Sequence, residues 1–181
     1  PEVPAGENPP AGAVIDYYLG AAAGTVKLEI VDNGGKVIRT YSSADTVGGP
    51  DPALDPEPYN RICQKNTNAP NCSVPLYWAA PNTSLGTVRG MHRFIWDMHY
   101  QPTDGMTPSQ GGAVPHRTYS SPSTPWAPPG SYIVRLNVDG KSYSQPMKLV
   151  LDPRVKTPAS VIAQVSSLSR EMYDGPVALR A

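Results

Sequence analysis

The stretch "TVKLEIVDNGGKVIRTYS" (residues 25–42) decides the fold, because it contains two strand-like runs and the turn between them. In the first run, polar residues alternate with the apolar residues Val26, Leu28 and Ile30, which is the period-two pattern of a half-buried strand. The Asn-Gly pair at 33–34 follows, and both residue types tolerate the positive φ that a tight hairpin turn requires. The sequence therefore predicts an antiparallel β-hairpin here.

A second hairpin is predicted in "SYIVRLNVDGKSYSQPMKLVLD" (residues 131–152), with its turn at Asp139-Gly140. Pro146 lacks a backbone N–H, so the returning strand is expected to lie at a sheet edge or to be bulged. Strand patterns also occupy residues 12–20 and 90–100. About six or seven strands joined by hairpins, without a strand–helix–strand rhythm, predict an all-β antiparallel sandwich.

The domain organisation follows from where these patterns begin and end. Residues 1–12 are interpreted as an N-terminal linker and residues 13–156 as the sandwich, with long loops at about 43–89 and 101–129. An amphipathic helix is predicted at 157–175, followed by a tail at 176–181. Thr157 is a plausible N-cap with Pro158 in the first helical position, and Gly175-Pro176 is expected to end the helix. Its apolar residues must dock on the sandwich, on another domain or on a further segment: Val161, Ile162, Val165, Leu168 and Met172.

Composition excludes several classes of partner. Fifteen basic and fifteen acidic residues cancel, so no net charge favours nucleic acid or an anionic membrane. No apolar run is long enough for a membrane span, and the first residues lack the pattern of a signal peptide. A mature protein or a fragment of a longer one fits this start better than a complete cytosolic product.

The two cysteines, Cys63 and Cys72, flank a short polar stretch of the first long loop. A disulfide between them would stabilise the fold by about 2.5–3 kcal/mol in the chain-entropy model. It would also imply an oxidising compartment, hence a secreted, periplasmic or cell-surface location. Two unpaired thiols are the alternative, whereas a zinc site lacks further ligands nearby.

The stretch "GMHRFIWDMHY" (residues 90–100) contains two of the three histidines, but its alternation predicts a core strand. His92 and His99 then lie on opposite faces, so they cannot share a metal ion, and replacing His99 is expected to change little. Asp97 and His99 share a face, and His116 could add a third ligand, which leaves a metal or acid–base site as an alternative. The predicted structural core is Phe94, Trp96, Met98, Tyr132 and Leu136.

No catalytic residue is predicted, since the chain has no nucleophile elbow, no phosphate-binding glycine loop and no basic–aromatic surface for nucleic acid. No cofactor or metal is expected. An acidic cluster of the first loop is interpreted as a solvated surface, with calcium as the alternative: Asp51, Asp55 and Glu57.

Aromatic residues in or beside the two long loops are the strongest functional hint. Exposed rings can stack on sugars or anchor protein partners, whereas the alternative is that they cover the open ends of the sandwich. The candidate binding residues are Trp78, Trp126, Tyr59, Tyr77 and Tyr119.

Taken in order, "LEIVDNGGKVIRTY", "GMHRFIWDMHY" and "PPGSYIVRLNVDGKSYSQPMKLVLDPRV" resemble the immunoglobulin-like fold of the flagellar hook-capping protein and of C-terminal sorting modules. Together with "GENPPAGAVIDYYL", they are similar to the C-terminal region of large secreted proteins with β-propellers of the BNR/Asp-box or sortilin-like type, often named glycosyl hydrolases. The resemblance covers roughly residues 6–157. It implies an immunoglobulin/fibronectin-III-like sandwich that packs beside a propeller of the same or another protein.

The chain departs from that family because it contains no Asp-box (S-x-D-x-G-x-x-W), so the propeller's chemistry does not transfer to these residues. The leading hypothesis is a non-catalytic accessory or interaction module that gives structural support or protein contacts. One alternative is a carbohydrate-binding module that uses the loop aromatics. The other is a part of a glycoside hydrolase whose active site lies in the propeller.

Overall fold

The computed structural model describes residues 12–45, 56–69, 72, 84–103, 109–110, 120–121 and 124–178. The elements follow one another in chain order: β1 (Ala13–Leu19), β2 (Val26–Val31), β3 (Val37–Ser42), α1 (Pro56–Lys65), β4 (Gly90–Trp96), β5 (Ser109–Gln110), β6 (Ser120–Ser121), β7 (Gly130–Val138), β8 (Lys141–Leu149) and α2 (Ala159–Ala178).

The strands form one wide and one narrow antiparallel sheet. The wide sheet has the order β3-β2-β7-β8, the narrow sheet pairs β1 with β4, and β5 pairs with β6 separately. Apolar residues of both main sheets share one core cluster. The architecture is therefore mostly β and consistent with the predicted all-β sandwich, and β8 lies at a sheet edge as Pro146 predicts.

An aspartate carboxylate fixes the turn of the first predicted hairpin, and positive backbone φ angles define the turn of the second. Asp32 Oδ1 accepts hydrogen bonds from the N–H groups of Gly34 and Lys36, both at 2.9 Å. In the second turn, Asp139 (φ +47°) and Gly140 (φ +83°) both have positive φ, as a two-residue hairpin turn of type I′ requires. The strand pairing of both hairpins is confirmed, but in the first turn the positive φ falls on Gly35 (φ +81°) and not on the Asn33-Gly34 pair, so that part of the prediction is wrong.

The carboxylate of Asp139 forms its hydrogen bonds outside its own turn. It accepts hydrogen bonds from the backbone N–H groups of Gly24 (3.0 Å) and Thr25 (2.8 Å). These donors lie in the connection from β1 in the narrow sheet to β2 in the wide sheet. The contact therefore fastens this connection to the tip of the second hairpin. The same N–H donors lower the pKa of Asp139, since they favour the charged carboxylate.

Trp96, at the end of β4, is fully buried between the sheets. Its ring packs edge-on against Tyr132 at a centroid distance of 6.0 Å, and its indole N–H donates to the His99 carbonyl at 3.0 Å. Of the other residues predicted for the core, Phe94 and Tyr132 are buried, while Met98 and Leu136 are partly buried against the core.

The strand predicted for residues 90–100 ends early, at Trp96. Met98 adopts φ +58°, which breaks the alternation and turns the chain away from β1. His99 then makes an isolated bridge to Trp126 and is buried, with 4% of its surface exposed. The prediction that His99 lies on the strand face opposite the core residues is therefore wrong, because the strand ends before it and its side chain is buried.

Three further boundaries differ from the sequence prediction. The first long loop contains the helix α1, and the second contains the short strands β5 and β6. Helix α2 continues through Gly175-Pro176 to Ala178. Because Pro176 lies in the last turn, its missing N–H removes a hydrogen bond near the helix end and does not interrupt the interior.

Glu29 lies on the outer face of β2 and is buried, with 8% exposure. Its carboxylate forms salt bridges with Lys27 at 2.7 Å and with Arg135 of the neighbouring strand at 3.1 Å. The hydrogen bond from Lys27 lowers the pKa of Glu29 most, against the opposing effect of burial, and Arg135 adds to the lowering.

We expect Trp96→Ala to lower the free energy of unfolding by about 3–5 kcal/mol, because it removes a fully buried indole and leaves a cavity. Urea denaturation monitored by circular dichroism measures this loss. Trp126→Ala is the matched control, since 62% of the Trp126 surface is exposed. Equal losses for the two variants would contradict the central position of Trp96.

Glu29 should make stability depend on pH in the acid range. Because its folded-state pKa is lowered, its contribution is fully present above the unfolded-state pKa of about 4.3 and is lost as pH falls through the folded-state value. Urea unfolding between neutral and acid pH should therefore show a smaller acid loss for Glu29→Gln than for the wild type. Parallel pH curves would contradict this.

Candidate interaction surfaces

Asp97 and His99, the candidate acid–base pair, are engaged in the corner that follows β4. Asp97 Oδ1 accepts a hydrogen bond from the His99 backbone N–H at 3.1 Å. The His99 ring Nδ1 lies 2.7 Å from the Asp97 carbonyl oxygen, and the ring lies tilted by 45° against Trp126 at a centroid distance of 3.8 Å. These contacts hold the corner together, so both side chains have structural partners.

Arg39 joins the wide sheet to this corner. Its Nη1 donates to the Tyr100 carbonyl at 3.1 Å, and its Nη2 lies 3.7 Å from Asp97 Oδ2. The guanidinium also lies over the Tyr41 ring at 4.7 Å, and that ring packs on Phe94. Burial raises the pKa of Tyr41 well above its ordinary value. Arg39 therefore connects the two sheets at this end of the sandwich.

A metal site is not formed by the residues the structure describes, since none of them come together as three or more His, Cys, Asp or Glu side chains. Glu57 lies exposed on α1. The other residues of the metal alternatives lie outside the described residues: His116, Asp51 and Asp55.

The predicted disulfide between Cys63 and Cys72 is confirmed, with a Cα–Cα distance of 5.4 Å. It fastens the C-terminal half of α1 to the chain that follows. Tyr59, on the same helix, is buried, so its interpretation as an exposed binding residue is wrong. It lies on the buried side of an amphipathic helix. The sequence analysis predicted a loop for this segment and therefore did not predict the burial.

Trp126 is the candidate binding residue that the structure shows exposed. With 62% of its surface accessible, it leaves one side of its ring system open while His99 packs against it. The remaining three candidates lie outside the described residues: Trp78, Tyr77 and Tyr119.

Helix α2 is anchored to the sandwich through its C-terminal half. The Tyr173 hydroxyl donates to the Gln101 carbonyl at 2.7 Å, and the Tyr173 ring lies 5.9 Å from that of Tyr100. The Arg170 guanidinium lies over the Tyr100 ring at 5.3 Å. Burial raises the pKa of Tyr100 and of Tyr173. The half-buried side of the helix is largely polar and contains Ile162, Ser166, Ser169, Arg170 and Tyr173.

The most apolar side of α2 is exposed. We define the α2 apolar stripe as the residues Val161, Val165, Leu168 and Met172. Their exposed fractions range from 42% to 78%. At 3.6 residues per turn, the stripe lies roughly 110° around the helix from the anchored side. Its spacing of four, three and four residues matches the seam of a helix that packs against another helix. The sequence marks these residues as apolar, but it does not show which side of α2 meets the sandwich.

None of the helices in the described part of the chain is long and apolar enough to cross a membrane. Comparison with known proteins gives no match: no family model, no curated protein and no solved structure is similar to this chain.

Proposed function

We propose that this chain is a non-catalytic accessory module with an immunoglobulin-like sandwich, and that it makes protein contacts within a larger secreted assembly. The observation that carries the proposal is the exposed α2 apolar stripe. An amphipathic helix normally buries its apolar side, whereas α2 is anchored through a more polar side and leaves its apolar side available to a partner.

The energetics favour a partner on the stripe. Fully burying an aliphatic side chain contributes roughly 1.5–3 kcal/mol. Because the four stripe residues are largely exposed in this chain, much of that free energy would be gained only when a partner covers them. Isolated helices draw little stability from propensity alone, so docking of the apolar side is their main source of stability. A protein surface that covers the stripe would stabilise α2 and the module together.

Other features support an accessory role outside the cytosol. The Cys63–Cys72 disulfide is typical of oxidising compartments. The side chains that resemble catalytic groups, Asp97 and His99, are engaged in structural contacts. The resemblance to C-terminal modules of secreted propeller proteins supplies the kind of partner, a propeller domain of the same or another protein.

Hydrogen exchange of α2 tests the proposal. We expect its backbone amides to exchange more slowly in the natural full-length product than in the isolated chain, because the partner surface covers the stripe. Leu168→Asp should remove that added protection, since it places a charge in an apolar interface.

Ser167→Asp is the matched control, because Ser167 is exposed on α2 and lies outside both the stripe and the anchored side. Equal exchange in the two contexts, or equal effects of the two variants, would contradict the proposal. Hydrolysis of a glycoside or an ester by the isolated chain that is lost in Asp97→Asn would contradict its non-catalytic part.

Carbohydrate binding is a second candidate, favoured by one observation: the exposed Trp126 ring is held in place by the His99 ring at 3.8 Å. A fixed aromatic surface of this kind can stack on a sugar ring. On a glycan array or in affinity gels, Trp126→Ala should abolish retention, whereas Trp126→Phe should keep part of it. Retention that is unchanged in Trp126→Ala would exclude this candidate.

A further inference from the structure

The two sheets of the sandwich differ in width, and the difference leaves β8 uncovered. Leu28, Leu136 and Tyr143 are register partners across β2, β7 and β8, so they share one face of the wide sheet. Leu28 is fully buried beneath the narrow sheet, whereas 57% of Tyr143 is exposed. The narrow sheet therefore covers β2 but ends before β8.

A groove runs along this uncovered part. Its wall is β1, from Val14 to Tyr17, and its floor includes Leu28, Leu136, Tyr143 and Met147. A second depression continues the groove past Leu19 and Lys141. Tyr17 and Tyr143 line both the groove and this depression. We call the two together the β1–β8 groove. No residue of β4 lines it, so it lies on the side of β1 that faces away from its partner strand.

The backbone of β1 is open towards this groove. Among the described residues, β1 pairs with β4 on one side only. The N–H and C=O groups on its other side therefore have no strand partner there. Adjacent strands lie about 4.8 Å apart and stacked sheets about 10 Å apart, so a third strand beside β1 would lie over β8.

We propose that the β1–β8 groove is a strand-addition site, which binds an extended segment of a partner protein as a third strand of the narrow sheet. Main-chain hydrogen bonds to β1 would supply affinity, and alternate apolar side chains would cover Tyr143 and Met147. This surface shares no residue with the α2 apolar stripe, so the inference does not rest on the proposed function.

Charge specifies the partner segment further. Of the charged residues that line the groove, Asp16 is paired with Arg93 at 2.8 Å. Asp139 is engaged by backbone N–H donors, whereas Lys141 has no ion pair among the described residues. The charged group left to pair with a bound segment is thus the Lys141 ammonium, which lies near the C-terminal end of β1. A segment antiparallel to β1 would carry an acidic residue near its own N-terminal end.

A second copy of the chain is a poorer occupant. Asp16 stands at the centre of β1, so a symmetric antiparallel β1–β1 pair would place it opposite its own copy. Like charges directly opposite each other destabilise a strand pair. The groove therefore favours a segment whose sequence differs from that of β1.

Selection from a phage-displayed library of random peptides of about nine residues, the length of a strand, tests the proposal. The wild-type chain is the bait, and Tyr143→Asp is the bait for counter-selection. We expect the enriched peptides to alternate apolar and polar residues and to carry Asp or Glu near the N-terminal end. Binding of a synthetic enriched peptide should slow hydrogen exchange in β1.

The variants give quantitative expectations for the dissociation constant of that peptide, measured by fluorescence anisotropy. Tyr143→Asp should weaken binding at least about tenfold, because it places a charge in the apolar floor. Lys141→Glu should weaken it about two- to fivefold, the range of an exposed ion pair. Lys148→Glu is the matched control, since Lys148 lies on the opposite face of β8, and it should leave binding unchanged.

Three results would overturn the proposal. The first is a library without binders, or with binders that lack the alternation. The second is binding that Tyr143→Asp does not weaken although its thermal unfolding shows a folded chain. The third is a concentration-dependent dimer of the free chain that Tyr143→Asp dissociates, which would assign the groove to a second copy.

Discussion

The burial of Trp96 is the constraint on which the rest of the structure depends. Its indole must lie between the sheets, and its N–H finds an acceptor in the His99 carbonyl only because the chain turns back at Met98. That turn creates the corner that presents Tyr100 to Arg39 and to α2. Trp96 also restricts the residue that precedes β1 to glycine, since a Cβ atom at Gly12 would lie 2.3 Å from the Trp96 carbonyl oxygen.

The sandwich built around this residue is unevenly covered. A narrow sheet of two strands faces a wide sheet of four, and the helix that follows is anchored by aromatic and cationic contacts at one end of the sandwich. Two apolar surfaces are therefore left open, one on α2 and one beside β1. Among the described residues, neither contains a group of three or more His, Cys, Asp or Glu side chains that could hold a metal ion. We propose both as surfaces for protein contacts.

The parts that the sequence predicted correctly are local in origin. In the first hairpin turn Asp32 accepts nearby N–H donors and Gly35 adopts positive φ, while in the second both Asp139 and Gly140 adopt positive φ. The disulfide closes a short polar loop. The corner at His99 could not be predicted, because alternation within residues 90–100 presumes a strand that continues to Tyr100. The same limit applies to Tyr59, whose burial depends on a helix within a segment without clear periodicity.

The sequence by itself determined which residues are apolar, where the hairpins turn and which strand must lie at an edge. These properties depend on side-chain chemistry and on neighbours within a few positions along the chain. Only the tertiary structure decided which apolar residues are covered. Tyr143 and Leu28 share a face of one sheet, yet one is exposed and the other buried. The reason is physical: burial depends on the width of the opposing sheet and on where α2 is anchored, and neither is encoded in a local pattern.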